Sequence, residues 1–377
     1  MRIVVTGQVG LDKKAFLKRA AEIAREEGRE LALCNVGDMM YAEAPDVAAG
    51  RILDLPLSRL NSLRRSVFKD ILAACRERRD VIVNTHATFR WRHGLFYAFD
   101  YDHMQQLDAD LYLVLVDNID RVHYRMTRDG HTDHTLKDLM VWREEETLAT
   151  ELLSQLILAG NEAPRQGHSG FYILARGFDD STARTLVQLA CSPERRKVYL
   201  SFPMSHVQDL PDQLAEIAAF RQELKRHFIC FDPADMEEKY LGPMALQAAE
   251  EGHRTLEVGP EDARVRMETN QVLEILPDID GQIYARDFKL IDQSDMIISL
   301  IPKLADGRPG LSSGVERELQ HAHEATREVY VVWRPEAEPS PFVTETATAV
   351  FRTVQDAVAH FRKRGYIPGT AAGTLFD

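Results

Sequence analysis

The chain has 377 residues, of which 45% are hydrophobic, and a formal net charge of −13. This length suits two domains better than one, and the hydrophobic fraction is enough for an ordinary core in each. The acidic balance argues against a general nucleic-acid surface, which needs clustered lysine and arginine. It leaves room for local basic pockets that bind phosphate.

The four cysteines are widely spaced and form no metal-binding pattern. No apolar run reaches the roughly 20 residues that span a bilayer, and the sequence opens on a strand rather than on a signal peptide. We therefore expect a cytoplasmic protein with no membrane segment. His131-Thr132-Asp133-His134 lies in polar sequence without a strong ligand motif, so we interpret it as a surface loop and predict no metal site there.

The first predicted element is a buried strand over residues 3–6, followed by Gly7-Gln8-Val9-Gly10-Leu11-Asp12-Lys13-Lys14 and an amphipathic helix. This layout is typical of a P-loop, in which backbone amides surround phosphates and a lysine reaches them. Asp12 stands where the second glycine of G-x-x-x-x-G-K-[ST] belongs. Lys14 replaces the serine or threonine that would hold magnesium. The pattern therefore favours a P-loop fold more strongly than ATP hydrolysis.

Two later segments extend this interpretation. Asn35-Val36-Gly37-Asp38-Met39-Met40 follows the second strand, and Asp80-Val81-Ile82-Val83-Asn84-Thr85-His86-Ala87-Thr88 follows an arginine-rich helix. With the loop, they resemble archaeal-type adenylate kinases, which are P-loop nucleoside monophosphate kinases. The resemblance covers roughly residues 1–190, although Asn84 stands where the family normally carries an aspartate. It implies ATP and Mg²⁺ as cofactors and a phosphate-binding set made of Gly7, Gly10, Lys13, Lys14, Gly37, Asp38, Arg121, Arg125 and Arg128.

In that resemblance the three arginines form a lid that grips phosphates, whereas a solvated helix face is the alternative interpretation. A long helix is predicted from Trp142 to about Leu158, and its acidic run Glu144-Glu145-Glu146 is most simply a solvated face. A polar loop over 161–170, a strand over 171–174 and a helix ending near residue 190 complete this domain. The charged, proline-containing stretch 191–197 is the predicted linker.

The second domain is predicted over residues 197–365, with a tail over 366–377. Strands over 198–202, 228–231, 295–301 and 329–333 alternate with helices, among them a short helix over 284–292. A charge-rich insertion over about 234–281 is expected to cover the site. Alternating strands and helices give a parallel sheet with helices on both faces. The predicted fold class is therefore α/β, with two three-layer domains that have parallel sheets. Ligands in such sheets bind beyond the carboxyl ends of the strands.

A small-residue loop over 309–314 separates the third of these strands from a helix whose inner face carries Val315, Leu319 and Ala322. Strand, loop and helix N-terminus together offer free N–H groups and a dipole to an anion. Glu318, one turn inside that helix, would lie beside the anchored molecule. A helix cap with solvent-facing glutamates is the alternative interpretation.

These segments resemble the nucleoside 2-deoxyribosyltransferase superfamily, which includes the deoxynucleoside 5′-monophosphate N-hydrolases. The resemblance implies a Rossmann- or flavodoxin-like domain that cleaves an N-glycosidic bond, with Glu318 rather than Glu316 as the nucleophile. Asp295 or Asp232 would supply the acid for the departing base, and the sequence does not choose between them. The expected nucleotide- and phosphate-binding residues are Tyr199, Ser201, Phe202, Pro203, Asp232, Ser312, Ser313 and Gly314.

Three functions follow from these observations. The first hypothesis is an enzyme that cleaves or exchanges the base of a nucleoside 5′-phosphate, fused to a kinase-like domain. The second is a nucleoside monophosphate kinase with a degenerate glycosidase domain, and the third is a non-catalytic nucleotide sensor. All three take a nucleotide or nucleoside phosphate as partner and leave a homo-oligomer open.

Overall fold

The computed structural model describes residues 1–48, 50–91, 94–131, 133–158, 170–177, 179–204 and 207–367. The chain divides into two compact units. Unit 1 comprises Met1–Cys191 and Asp235–Gln282, and unit 2 comprises Ser192–Ala234 and the residues from Ile283 onward. Within the described ranges, no helix is both long enough and apolar enough to cross a membrane.

The strands, in chain order, are β1 (Arg2–Thr6), β2 (Ala32–Asn35), β3 (Val81–Asn84), β4 (Thr88–Trp91), β5 (Gly94–Tyr97), β6 (Leu111–Val116), β7 (Phe171–Ala175), β8 (Lys197–Ser201), β9 (Ile229–Phe231), β10 (Thr255–Val258), β11 (Val265–Glu268), β12 (Met296–Ile301), β13 (Glu328–Trp333) and β14 (Ala349–Phe351).

The helices are α1 (Lys13–Glu26), α2 (Val36–Glu43), α3 (Leu57–Glu77), α4 (Tyr101–Leu107), α5 (Ile119–Arg128), α6 (Leu136–Leu158), α7 (Ser181–Cys191), α8 (Pro211–His227), α9 (Leu241–Glu250), α10 (Thr269–Asp292), α11 (Ser313–Glu324), α12 (Pro341–Thr344) and α13 (Val354–Lys363).

The main sheet of unit 1 has the order β2-β3-β1-β6-β7, and its strands pair in parallel. The central strand β1 pairs on both sides, with Val4 opposite Val83 of β3 and Tyr112 of β6. Val4 and its neighbours in β1 are fully buried, as expected for a strand with helices on both faces of its sheet. The loop between β1 and α1 therefore begins at the carboxyl edge of the sheet, where ligands bind in this class of fold.

The main sheet of unit 2 has the order β14-β13-β12-β8-β9, again with parallel pairs. Numbered along the unit, this is the 2-1-3-4-5 order of flavodoxin-like folds. The central strand β12 is buried along its whole length, with Ile298 between Leu200 of β8 and Tyr330 of β13. The predicted α/β class, with two parallel sheets in succession, is confirmed.

The segment predicted as an insertion over the second domain's site belongs instead to unit 1. Asp235–Gln282 contributes α9, the β10–β11 hairpin and the first part of α10 to that unit. The carboxylate of Glu238 is completely buried and accepts hydrogen bonds from the backbone N–H of Ile119 at 2.6 Å and from the Arg143 guanidinium at 2.9 Å. A buried Glu238 carboxylate without the Arg143 guanidinium, or the reverse, would be costly. This ion pair therefore holds the segment against α5 and α6.

Two helix starts differ from the predictions. Helix α6 begins at Leu136 rather than at Trp142, because Thr135 and Asp138 exchange hydrogen bonds as a capping pair. Helix α10 begins at Thr269, although a short helix from residue 284 was expected, and it continues through Pro277. The predicted loop over 161–169 and the tail beyond residue 367 lie outside the described residues.

Candidate functional site

The loop between β1 and α1 has the backbone of a phosphate-binding turn. Gly7 has φ 134° and Gly10 has φ 86°, and a Cβ on Gly7 would lie 2.7 Å from the carbonyl oxygen of Leu115. Asp12 has φ 53°, the left-handed conformation that favours the glycine of the motif. Aspartate is among the few other residues that tolerate it. The loop therefore keeps its shape with aspartate in the glycine position.

A cavity of about 360 Å³ opens beside this loop. Its walls come from the loop itself, from the β2–α2 junction and from the segment that follows β3. Aromatic side chains of Tyr41, Phe89 and Trp142 close the other side, and such surfaces suit a nucleobase. The predicted phosphate-binding residues that line the cavity are Gly10, Lys13, Lys14, Gly37 and Asp38.

The buried end of the cavity holds a chain of three ionisable side chains. Lys13 donates to the carbonyl oxygen of Gly7, and its Nζ lies 3.3 Å and 3.4 Å from the two ring nitrogens of His86. Nδ1 of His86 lies 3.1 Å from Oε1 of Glu146. Because a carboxylate only accepts, Nδ1 carries the proton and Nε2 is left to accept from Lys13.

Burial dominates the charges in this chain. Loss of water lowers the pKa of Lys13 to about 8, although the negative charge of Glu146 raises it. Burial also lowers the pKa of His86, and the neighbouring Lys13 charge lowers it further, against the hydrogen bond to Glu146. At neutral pH, Lys13 is therefore mostly cationic and His86 mostly neutral. The ammonium group of Lys13 is then the positively charged donor that faces the loop.

Glu146 was missed by the sequence analysis, which interpreted the acidic run as solvated. Glu144 is exposed, but Glu146 is completely buried on the inner face of α6. Its Oε2 accepts from the backbone N–H groups of Ala87 at 2.7 Å and Thr88 at 3.1 Å. Glu146 therefore fixes the segment that carries His86, and its helical spacing from buried Trp142 was the only sequence signal for its burial.

The three predicted lid arginines do not line the cavity. Arg125 is buried and donates to Asp117 at 2.8 Å and to the carbonyl oxygen of Gly10 at 3.0 Å, so it supports the loop from behind. Arg128 pairs with its neighbour Asp129 at 2.7 Å, and Arg121 lies 3.5 Å from the carbonyl oxygen of Gly177. The helical spacing of the three correctly indicated one element, α5, but they take protein partners on it.

The residues at the magnesium position do not fit that ion. Lys14 carries an ammonium group where the motif has a hydroxyl ligand, and it forms an ion pair with Asp38 at 2.6 Å. Asn84 carries an amide where the related kinases have a carboxylate, and it donates to the side chain of Asn35 at 2.9 Å. Among the described residues, no cluster of three or more histidine, cysteine or acidic side chains could hold a metal.

Comparison with known proteins agrees with the P-loop geometry of the β1–α1 loop. The AAA domain family model matches residues 6–143. The N-terminal part of unit 1 is a P-loop kinase-like, nucleotide-binding domain. The kinase-like domain is similar to the adenylate kinase of Pyrococcus furiosus, with 24% identity over 139 residues that make up 36% of this chain and 69% of that enzyme. A chain from the structure of the Pnkp1/Rnl/Hen1 RNA repair complex aligns over 97% of this chain and 94% of its own length, at 10% identity and a TM-score of 0.28.

Beyond the kinase-like domain, unit 2 contains a second cluster of ionisable groups, centred on Glu318. The Tyr199 hydroxyl donates to Oε1 of Glu318 at 3.0 Å, and the Ser201 hydroxyl donates to Oε2 at 2.6 Å. The Ser299 hydroxyl donates in turn to Ser201 at 3.2 Å. The carboxyl group is thus held between two residues of β8, at the carboxyl half of that strand.

The surroundings of Glu318 favour its neutral form. Loss of water is the main cause that raises the pKa of Glu318 to about 8, and the negative charge of Asp287 adds to it, while the hydrogen bonds from Ser201 and Tyr199 lower it. Burial and the same glutamate raise the pKa of Tyr199 well above its usual range, so this phenol remains a donor. Glu316, by contrast, is exposed on the outer side of α11.

The loop before α11 has the predicted cap. The Ser312 hydroxyl accepts from the backbone N–H of Val315 at 3.3 Å, while Ser313 and Gly314 are exposed at the first turn. Phe202 and Pro203 directly follow β8 and are buried. The amides of this turn therefore precede Glu318 by about one to one and a half helical turns.

The two predicted proton donors lie at opposite edges of the sheet. Asp295 precedes β12, and its side chain accepts from the backbone N–H of Lys197, the first residue of β8. That is the amino edge of the sheet, opposite the edge that Ser201 reaches. Asp232 directly follows β9 at the carboxyl edge, where Phe231 pairs with Tyr199, and it is buried in ion pairs with Arg221 and Lys225, each at 2.7 Å.

Asp287 is the buried carboxylate whose charge acts on Glu318, and the sequence analysis gave it no role. It lies on α10 beside Arg286, whose Nη2 is 3.4 Å from its Oδ1. It lies eight residues before Asp295, but it is the charge of Asp287 that acts on Glu318, whereas the Asp295 side chain accepts from the backbone of Lys197.

Proposed function

We propose that the chain is a nucleotide-metabolising enzyme that cleaves or exchanges the N-glycosidic bond of a nucleoside 5′-phosphate. The observation that carries this proposal is the Glu318 carboxyl group held between the Tyr199 and Ser201 hydroxyls, near the carboxyl edge of a parallel sheet. Two donors on one carboxylate fix its direction, which is what a nucleophile needs to attack a single carbon.

The reaction begins with attack of Glu318 on C1′ of the sugar. The bond from C1′ to the base nitrogen breaks, its electron pair leaves with the base, and a proton must reach that base. The transition state resembles an oxocarbenium ion, which a nearby carboxylate stabilises. Water then releases the sugar phosphate from the glycosyl ester, whereas a second base gives transfer.

Ionisation of Glu318 controls the first step. Since its pKa is about 8, only a minority of the free enzyme carries the carboxylate at neutral pH. The hydrogen bonds from Tyr199 and Ser201 favour that ionised form, and Asp287 opposes it through charge repulsion. Asp287 is therefore the carboxyl group that the structure relates to Glu318, and we propose it as the source of the proton that the departing base takes.

The 5′-phosphate would bind at the first turn of α11. Ser312, Ser313 and Gly314 offer backbone amides there, and the helix dipole favours an anion. Holding the phosphate at this turn would keep C1′ of the sugar beside Glu318, one turn further along the helix. Binding energy from the phosphate would then be used to position the reacting carbon.

A panel of nucleoside 5′-monophosphates, each with and without ATP and Mg²⁺, tests the proposal. Release of free base without ATP supports it, and chromatography of the products separates hydrolysis from transfer. Formation of ADP would support the second candidate, phosphoryl transfer in the kinase-like domain, which the buried Lys13–His86–Glu146 chain favours. Binding without turnover of either kind would favour a nucleotide sensor and refute the glycosidase.

A further inference from the structure

We propose that the cavity of the kinase-like domain binds its nucleotide without a divalent metal, with the ammonium group of Lys14 at the position that Mg²⁺ takes in related P-loops. This inference concerns unit 1 alone and does not depend on the glycosidase. It departs from the cofactor that the fold family implies, because the side chains present here are of the wrong chemistry for that cofactor.

The first argument is the charge of the residue after Lys13. A serine or threonine there would offer a neutral oxygen to the metal, whereas Lys14 offers a cation that repels it. Lys14 lines the cavity at the first turn of α1, next to the loop amides. Lys14 forms an ion pair with Asp38, and because these side chains are 65% and 54% exposed, the ammonium group can turn toward a phosphate at little cost.

The second argument concerns Asn84, at the other position where related kinases hold the metal. Asn84 ends β3, where related kinases carry a carboxylate that holds the metal through water or directly. Asn84 donates through Nδ2 to Oδ1 of Asn35 at 2.9 Å, and its own Oδ1, which has no partner among the described residues, is a neutral and therefore weaker ligand than a carboxylate. Both anchoring positions have therefore lost the groups that magnesium requires, while the loop and Lys13 have been kept.

The third argument comes from buried polar atoms that have no partner in the described part of the chain. Four such atoms belong to residues that line the cavity, and one of them, Oδ1 of Asn84, is an acceptor. The other three are Nε2 of Gln8, Oγ1 of Thr88 and Nε1 of Trp142, on residues that are 3%, 4% and 4% exposed. All three residues line the same cavity and all three atoms are hydrogen-bond donors. Buried donors without partners are expensive, so a cavity that concentrates them is built for an acceptor-rich ligand. Together with Lys13 and Lys14, they suit the oxygens of a phosphate chain.

In such a site magnesium and Lys14 would compete for the same phosphate oxygens. Free ATP keeps its full negative charge, whereas magnesium neutralises part of it before binding. A site whose compensating cation is part of the protein therefore prefers the metal-free nucleotide, the reverse of a P-loop that has its hydroxyl and carboxylate. Removing the Lys14 charge should weaken binding most when no metal is present.

The experiment is calorimetric titration of the full chain with ATP, in buffer with EDTA and in buffer with Mg²⁺. We expect wild-type protein to bind ATP in EDTA at least as tightly as in Mg²⁺. Lys14→Thr restores the hydroxyl and should lower the affinity in EDTA by about tenfold, or about 1.4 kcal/mol. It should also make binding tighter when Mg²⁺ is added. Lys14→Arg keeps the charge and should keep most of the affinity.

The matched control is Lys18→Thr, which removes the same charge one turn further along α1, on an exposed residue that does not line the cavity. It should leave ATP binding unchanged in both buffers. Three results would overturn the proposal: wild-type affinity that rises about tenfold or more with Mg²⁺, equal affinities for Lys14→Thr and Lys18→Thr in EDTA, or no ATP binding in either buffer. Circular dichroism would verify that the variants are folded.

Discussion

Replacing Glu318 with glutamine removes a carboxyl group whose ionisation the protein opposes. The pKa of this group moves from an ordinary 4.5 to about 8, mainly because the folded protein excludes water from it. At about 1.4 kcal/mol per pH unit, the difference corresponds to a free energy on the order of 5 kcal/mol. Glutamine keeps the shape of the side chain and cannot ionise, so the variant should lack this dependence on pH.

The direction in which the free energy of unfolding changes with pH depends on whether the folded or the unfolded state binds more protons. Below about pH 4.5, both folded and unfolded chains carry protonated Glu318 and there is no penalty. Between about pH 4.5 and 8 the unfolded chain ionises first, so the free energy of unfolding of unit 2 falls as pH rises. Above about pH 8 both states are ionised and the loss is complete. Glu318→Gln should therefore gain stability relative to wild type as pH rises through this window.

Hydrogen exchange of the buried strands β12 and β13, measured at increasing urea, reports the opening of unit 2 without contributions from unit 1. Glu316→Gln is the matched control, since it removes the same charge from an exposed position on the same helix. It should follow the wild-type curve. If Glu318→Gln also runs parallel to wild type between about pH 5 and 8, then the folded protein does not raise the pKa of Glu318.

Three further predictions concern single contacts. Tyr199→Phe removes the 3.0 Å hydrogen bond that lowers the pKa of Glu318, so the midpoint of the pH–rate profile should rise and base release at neutral pH should fall about five- to tenfold; an unchanged midpoint would contradict this. Glu238→Gln leaves the Arg143 charge buried without its counter-ion and should cost about 3–5 kcal/mol in urea unfolding of unit 1, whereas a loss below about 1 kcal/mol would argue that water reaches the pair. Asp12→Gly relieves a left-handed backbone and removes a carboxylate from the phosphate loop, so thermal stability and ATP affinity should both rise; weaker ATP binding would refute the electrostatic part.

Local patterns predicted the parts of this structure that local chemistry determines. The P-loop was correctly located because its glycines and Lys13 are adjacent in sequence, and the positive φ of Asp12 follows from the same turn. Buried runs such as β12 gave the parallel sheets, since strands covered on both faces are continuously apolar. Glu318 was singled out by its distance from the loop at the start of α11, and the inner face of that helix is the predicted one.

The features that the sequence did not predict depend on contacts between residues far apart in the chain. His86 and Glu146 are 60 positions apart, and nothing near either residue indicates that they meet. Asp287 and Asp295 are eight positions apart, and nothing in the local sequence indicates that it is Asp287 whose charge acts on Glu318. Pro277 lies inside α10, where proline is locally disfavoured, so the helix continues there against the local preference of its sequence.

The central claim is that Glu318 is the nucleophile of a nucleotide N-glycosidase, and base release by two single variants tests it most directly. With a nucleoside 5′-monophosphate that the wild-type protein cleaves, Glu318→Gln should lose base release by several orders of magnitude while nucleotide binding is nearly unchanged. Glu316→Gln, on the exposed side of the same helix, should retain it. Near-wild-type release by Glu318→Gln would contradict the account, whether or not Glu316→Gln loses activity.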